Sequence, residues 1–358
     1  MKKMIFLMVL VASTSLMAEN LITLSGSAVT GFSGIDQSEG AKAAQLQFES
    51  AANINIGIEH SDEINAEINI GAGSDNNTLG FQSGITYLGF ALNYAPKQFA
   101  HTSFTAGSIT VPFGQFSGNQ TDNARFSSSF ILNDIGYSLL TKNDSLSDFG
   151  GNGVQSTTQT PYATIDAMVF NGTGGHDTNP DQGFGVALRL TNASLVKNTT
   201  FGVSFVNSND SGNQNAINAN TTGFIGDVKT QLYGLDLGGY YGVITLDDSN
   251  ASTKDDVAIA MVYVGKKLNQ YDIAVRYSVL QPEDHNGDGS GYSSAFNAGY
   301  GLSDISVADV DLARIQLSGI YNLSNSVKLV NEVVLDTYGK NFEDFNNTAV
   351  LSYASVNF

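Results

Sequence analysis

The stretch DHNGDGSGY, Asp284 to Tyr292, opens like a loop built to hold a hard cation. Asp284, Asn286 and Asp288 supply oxygen at positions one, three and five, and Gly289 permits the sharp turn that calcium loops require. The twelfth position is Ala295, so the bidentate glutamate that completes such a site is missing. Calcium in a loop and a simply solvated loop are therefore both readings of this stretch, and no other cofactor is implied. The four histidines, His60, His101, His176 and His285, have no ligand spacing between them, which argues against a transition-metal centre. Spacing singles out no Ser/His/Asp grouping either, so the expectation is that the chain is not an enzyme.

Two further groups of charged residues stand out. Asp122, Arg125, Asp134 and Lys142 lie in one long segment, 112–149, that is also rich in Phe, Ile, Leu and Tyr. Glu49, Glu67, Asp236, Arg189, Arg276 and Arg314 are scattered along alternating stretches, always on the polar parity. Residues Ala44 to Gly73 show that parity most clearly. Ile54, Ile56, Ile58, Ile64, Ala66, Ile68 and Ile70 occupy apolar positions, against Asn53, Asn55, Glu59, Asn65, Glu67 and Asn69. Period-two alternation is a strand with one oily and one wet face. Charged groups on the wet face either pack as ion pairs or line an aqueous passage.

The N-terminal region bears on which face lies inside. Lys2 and Lys3, the apolar run from Met4 to about Ala12 and the small residues up to Ala18 read as a secretory signal peptide, 1–18, leaving 19–358 as the mature barrel. That apolar run is too short to span a membrane as a helix. The chain has no cysteine, so an exported product must rely on its core or on a membrane. Its formal net charge is −18, or −20 without the two leader lysines, which excludes nucleic acid as a partner by general attraction. Charged residues make up only 14% of the chain, with Asn, Ser, Thr, Gln and Gly in their place. Neutral polar residues of this kind suit a wet barrel interior.

Stepping along the chain, the alternation predicts strands near 21–32, 44–59, 63–73, 84–94, 100–111, 150–158, 161–170, 183–191, 199–207, 229–240, 242–248, 255–266, 270–280, 306–322, 327–339 and 346–358. The cut in QLYGLDLGGYYGVITLDD is placed near Tyr241-Gly242. With sixteen strands, long polar connections fall on one side and tight turns on the other, the signature of a transmembrane barrel and not of a soluble sandwich. The expected fold is thus all-β: a transmembrane antiparallel β-barrel of about 16 strands, with 112–149 folding inward as a constriction. The alternative for that segment is an outer loop packed on its neighbours or on another subunit. The final alternating strand ends on Phe358, which resembles the recognition end of Gram-negative outer-membrane barrels. Phe32, Tyr94, Phe99, Tyr240, Tyr241, Tyr321 and Tyr338 are expected in the interfacial girdles, since aromatic rings settle at the membrane–water boundary.

Several short motifs carry a family resemblance. GSITVPFGQF (Gly107 to Phe116) resembles the Pro-Phe-Gly strand end of the phosphate-selective porins of the O and P type, and related siderophore porins share a similar Pro-Phe-Gly. ATIDAMVFNGTG, FGVALRL and YGLDLGGYYGVITL are similar to later strands of the same group, in the same order, up to Leu246. The resemblance implies an outer-membrane porin, a homotrimer in contact with outer-membrane lipid, that passes small hydrophilic solutes. Phosphate selectivity needs a ladder of basic residues, yet 112–149 offers only Arg125 and Lys142 against Asp122, Asp134, Asp144 and Asp148. A cation-preferring or weakly selective pore is therefore expected, with Arg189, Arg276 and Arg314 either a basic wall or partners of nearby acids. A substrate-specific uptake channel, for a siderophore or another small metabolite, is the alternative; an adhesin or a barrel-borne enzyme is the remaining class.

Overall fold

A computed structural model of the chain describes residues 21–37, 45–73, 84–114, 150–171, 184–192, 196–209, 219–248, 253–284, 311–339 and 345–358. They form sixteen strands: β1 (Leu21–Gln37), β2 (Gln45–Ser61), β3 (Ile64–Gly73), β4 (Gly84–Tyr94), β5 (Thr102–Thr110), β6 (Gly150–Gln159), β7 (Ala163–Asn171) and β8 (Phe184–Asn192), then β9 (Thr199–Asn209), β10 (Ala219–Leu232), β11 (Leu235–Asp248), β12 (Thr253–Leu268), β13 (Tyr271–Asp284), β14 (Asp311–Asn322), β15 (Val327–Gly339) and β16 (Phe345–Asn357). Each strand pairs antiparallel with its neighbours in sequence, and β1 pairs with β16 to close the ring. At the seam Gly26 and Phe358 exchange two backbone bonds, 2.9 and 3.0 Å long.

The apolar parity faces out. On β8, Leu188 and Leu190 are exposed while Gly185, Ala187 and Arg189 are buried. Leu24, Val203 and Val262 are 68%, 59% and 60% exposed, values that would be untenable for a water-soluble core but suit a surface wetted by lipid. The sheet is interrupted by bulges at Glu59/Ser61 and at Asn69/Ile70, where β4 carries one extra residue, Leu88.

Two sequence expectations need correction. The hairpin over 229–248 turns at Tyr233-Gly234, not at Tyr241-Gly242: Leu232 pairs with Leu235, and the two turn residues have φ of +51° and +73°. Both central residues of such a two-residue turn need positive φ, a role usually given to Asn, Asp or Gly, so a tyrosine there hides the signal. The strand before the turn, β10, therefore starts at Ala219 and includes Asp227. Tyr240 is the second correction. It faces inward at 6% exposure, so it takes no part in an outer girdle, whereas its neighbour Tyr241 is 62% exposed on the outside. Tyr94 and Phe99 are exposed near short turns as expected, and the Tyr271 and Tyr321 rings meet at 5.1 Å beside another.

An arginine on the outward face should be penalised far more than a change on the inward one. Val203→Arg, in the middle of β9, is expected to lower barrel stability by about 2–4 kcal/mol. Reversible urea unfolding in lipid vesicles measures this, with the inward-facing Thr105→Ser as the near-neutral comparison.

Candidate functional site: the inner wall of the barrel

The inward positions of β3 to β7 form a hydrogen-bonded polar belt. Asn93 Nδ2 donates to Asn65 Oδ1 (2.8 Å), and Thr105 Oγ1 donates to Asn93 Oδ1 (2.7 Å). Gln155 Nε2 donates to Thr157 Oγ1 (3.1 Å) and Asp166 Oδ1 (3.2 Å), and Thr157 Oγ1 to the same carboxylate oxygen (2.7 Å). Register explains these contacts: Asn65 lies opposite Asn93, Asn93 opposite Thr105, and Thr157 opposite Asp166. Cross-strand neighbours on one face are close enough to pair side chain to side chain.

The belt continues into an ion pair. Arg189, opposite Asp166 on β7, is buried and binds Asp227 of β10 through two bonds, Nη1–Oδ2 at 2.6 Å and Nη2–Oδ1 at 2.9 Å. Its Nη1 also donates to Ser204 Oγ on β9, the strand between them (2.8 Å). Gly202 makes the room, since a Cβ there would stand 2.5 Å from Nη2. A bidentate arginine–carboxylate fork is directional as well as strong, and the two charges of this pair cancel.

Further round the ring, β13 to β15 carry a second buried polar group. Arg276 Nε donates to Gln316 Oε1, and Gln316 Nε2 donates to Glu332 Oε1 (3.2 Å). Arg276 is fully buried and Glu332 is 1% exposed. Arg314 is buried on the same wall, opposite the buried Ser278 in the register, with Ser318 four residues along its own strand. Glutamine, with one acceptor and one donor group, bridges a guanidinium and a carboxylate with a neutral side chain. Between the two polar groups lies an apolar inner stripe of Val206, Ile225, Ile244, Val257, Ile259 and Met261, all buried. The half of the wall from β8 to β15 is thus packed.

The other half is open. Thr23 and Ser25 of β1, Asn55 and Glu59 of β2, and Asn65 and Glu67 of β3 line a cavity of about 430 Å³ at the short-turn end. Glu59 and Asn65 are exposed within the ring, and Ser27 Oγ donates to Asn53 Oδ1 (2.8 Å) further along. The cavity lining carries two carboxylates and no basic side chain.

No protein-family model matches the chain, and no curated protein matches it. Solved structures do. The anion-selective porin from Comamonas acidovorans superposes with a TM-score of 0.66 at 9% identity, over 95% of this chain and all of that one. OprB of Pseudomonas putida gives 0.66 at 9% identity, over 97% of this chain and 96% of that one. A loop-deletion mutant of OmpT, an outer-membrane protein of Vibrio cholerae, gives 0.64 at 12% identity, over 95% and 99%. This chain has the fold of the outer-membrane porins. At such identities the likeness speaks for architecture alone, and none of these proteins' selectivity comes with it.

On this porin fold the sequence-nominated residues sort as follows. Arg189, Arg276 and Arg314 all lie buried on the inner face, Arg189 bound to Asp227 and the other two together on β13 and β14. Glu67 borders the open cavity, and Asp236 accepts from Gln231 Nε2 (3.1 Å) near the β10–β11 turn. Glu49 holds an inward register position on β2, but its side chain lies outside the described residues, as do Asp122, Arg125, Asp134, Lys142, Asn286 and Asp288. Asp284 ends β13, with its side chain also outside them. Among the described residues no cluster of three or more His, Cys, Asp or Glu side chains could hold a metal.

Sequence reasoning missed Asp227, Ser204 and Gln316. The misplaced turn left Asp227 in a presumed loop; the alternation of Phe224, Gly226 and Val228 against Ile225 and Asp227 would have found it. Ser204 and Gln316 are neutral and common, so nothing in their type marks them.

Removing one member of the Arg189–Asp227 pair leaves an unmatched buried charge. Asp227→Ala is expected to cost about 3–5 kcal/mol of barrel stability, and the double replacement Arg189→Met/Asp227→Leu much less. Chemical unfolding of the refolded barrel gives both numbers.

Proposed function

We propose that this protein is an outer-membrane porin, a non-enzymatic, water-filled channel for passive diffusion of small hydrophilic solutes and ions. The observation that carries the reading is the closed ring of sixteen antiparallel strands with an exposed apolar exterior and a polar inner wall left open along β1 to β3. A barrel of this strand number is wide enough for an aqueous passage. The fold shared with porins supports the same reading, as does the leader-like segment 1–18, cleaved on export. The proposed assembly is a homotrimer in outer-membrane lipid.

The pore prefers cations. Glu59 and Glu67 face the open cavity, whereas Arg189 is neutralised by Asp227 and the other inner-wall arginines are buried. Rings of carboxylates raise the local concentration of cations. Segment 112–149 folds inward and narrows the passage, with Asp122, Arg125, Asp134 and Lys142 at the constriction and Glu49 on the wall. The packed half of the interior favours a second reading, a narrower channel specific for one small metabolite. Half-blocking of the current by a single solute at micromolar concentration would support that reading over general diffusion.

Planar-bilayer recording tests the proposal. The purified protein is expected to give steady ohmic conductance and a reversal potential of cation sign under a KCl gradient. A silent barrel, or a clear anion preference, overturns it. In Glu59→Gln/Glu67→Gln the cation-to-anion permeability ratio should fall roughly two- to fivefold at low salt, the Coulomb effect of two carboxylates several ångströms from the ion path.

A further inference from the structure

After β5 the chain leaves the wall. Val111 and Phe113 are fully buried, and Phe113 lies against β10, several strands away in the ring. A Cβ on Gly223 of β10 would stand 2.8 Å from Phe113 Cζ and 2.9 Å from Val206 Cγ1, so Gly223 is the floor of a seat for this ring and Val206 its side. Gly114 follows with φ of +76°, a conformation that favours glycine, and its N–H donates to Ser204 Oγ at 3.0 Å. A Cβ on Gly114 would meet Ile225 Cδ1 at 3.2 Å. All these partners are inward-facing residues of β9 and β10.

The path must leave the wall. From β5 to β9 is four strand spacings, about 19 Å measured across the sheet. The four residues from Thr110 to Gly114 reach about 14 Å at full extension. Backbone alone cannot reach β9, so the segment runs inside the wall and the remaining gap is spanned by the Phe113 ring and the side chains of Ser204 and Ile225. What catches it is held in turn. Ser204 Oγ accepts Arg189 Nη1 (2.8 Å) as well as the Gly114 N–H, and Arg189 is fixed by its fork on Asp227. The ion pair therefore orients the hydroxyl at a defined height in the barrel.

We infer that Ser204, positioned by Arg189 and Asp227, and the Gly223 seat together form a latch for Pro112-Phe113-Gly114. The latch sets the point inside the lumen from which the long β5–β6 connection continues, and through it the bore of the channel. Ser204 and Gly223 are positioning residues: they need not touch a passing ion. The inference deepens the channel reading and its effect on bore rests on it, but the latch itself has a readout that does not require conduction.

That readout is hydrogen exchange at the Gly114 amide in the folded, detergent-solubilised protein. Slow exchange is expected in the parent, and exchange at least tenfold faster in Ser204→Val and in Gly223→Val, where the ring is displaced. Ser204→Ala serves if either bulkier variant fails to fold, judged by heat-modifiable gel mobility. In bilayers the same variants should show higher or noisier open-channel current. Unchanged Gly114 exchange in the folded Ser204 variants overturns the latch. Faster exchange with unaltered current overturns its control of the bore. A parent that does not conduct at all sinks the channel reading, and the exchange result then decides the latch alone.

Discussion

Every backbone N–H and C=O in a hydrocarbon layer needs a partner within the protein, because no water is there to supply one. The pairing of β1 with β16 meets that demand for the ring as a whole, since an open edge would leave a row of unmatched groups on each side. The other features follow from this closure. A closed sheet has one face for lipid and one for its own interior, and period-two alternation assigns every side chain to one of them. The exposed leucines and valines of the exterior and the amides, hydroxyls and carboxylates of the interior are the same rule seen from two sides.

The interior is not uniform. Between β8 and β15 two guanidiniums have a carboxylate close by: one is forked on it, the other is linked to it through a glutamine. Buried pairs of this kind contribute little net attraction to anything in the lumen, since their fields cancel within a few ångströms and their desolvation has already been met. From β1 to β3 the wall is wet, and Glu59 and Glu67 act at longer range. Counting acids and bases along the sequence treats all these charges as equal. Geometry divides them into those that hold the barrel together and those that a solute can sense.

Much of the architecture was legible in the sequence because alternation needs no knowledge of partners. The count of sixteen strands, with all but the pair around 229–248 near their observed places, and the outward side of Ile54 rest on spacing alone. Legibility failed where local chemistry imitated something else. Tyr233 occupies a turn position where Asn or Gly is the usual sign, and the error carried Asp227 out of view. Tyr240 and Tyr241 are adjacent and identical, yet one is inside and the other outside, which residue type cannot tell. The candidate site was half legible: the three inner arginines were found by parity, but not the serine and glutamine that bind two of them. Neutral hydrogen-bonding residues take their roles from neighbours brought together by register.

The seam between β1 and β16 also has a temporal meaning. Every other junction in the ring joins strands adjacent in sequence, so each can form as a local hairpin with a modest loss of chain entropy. The seam joins Ser27 to Asn357, residues more than three hundred positions apart. Entropy of loop closure and the dependence of rate on contact separation both make this pairing the late one. A curved, unfinished sheet with two bare margins must therefore exist before the ring shuts, and whatever shields those margins during assembly governs whether the barrel forms or the chains aggregate.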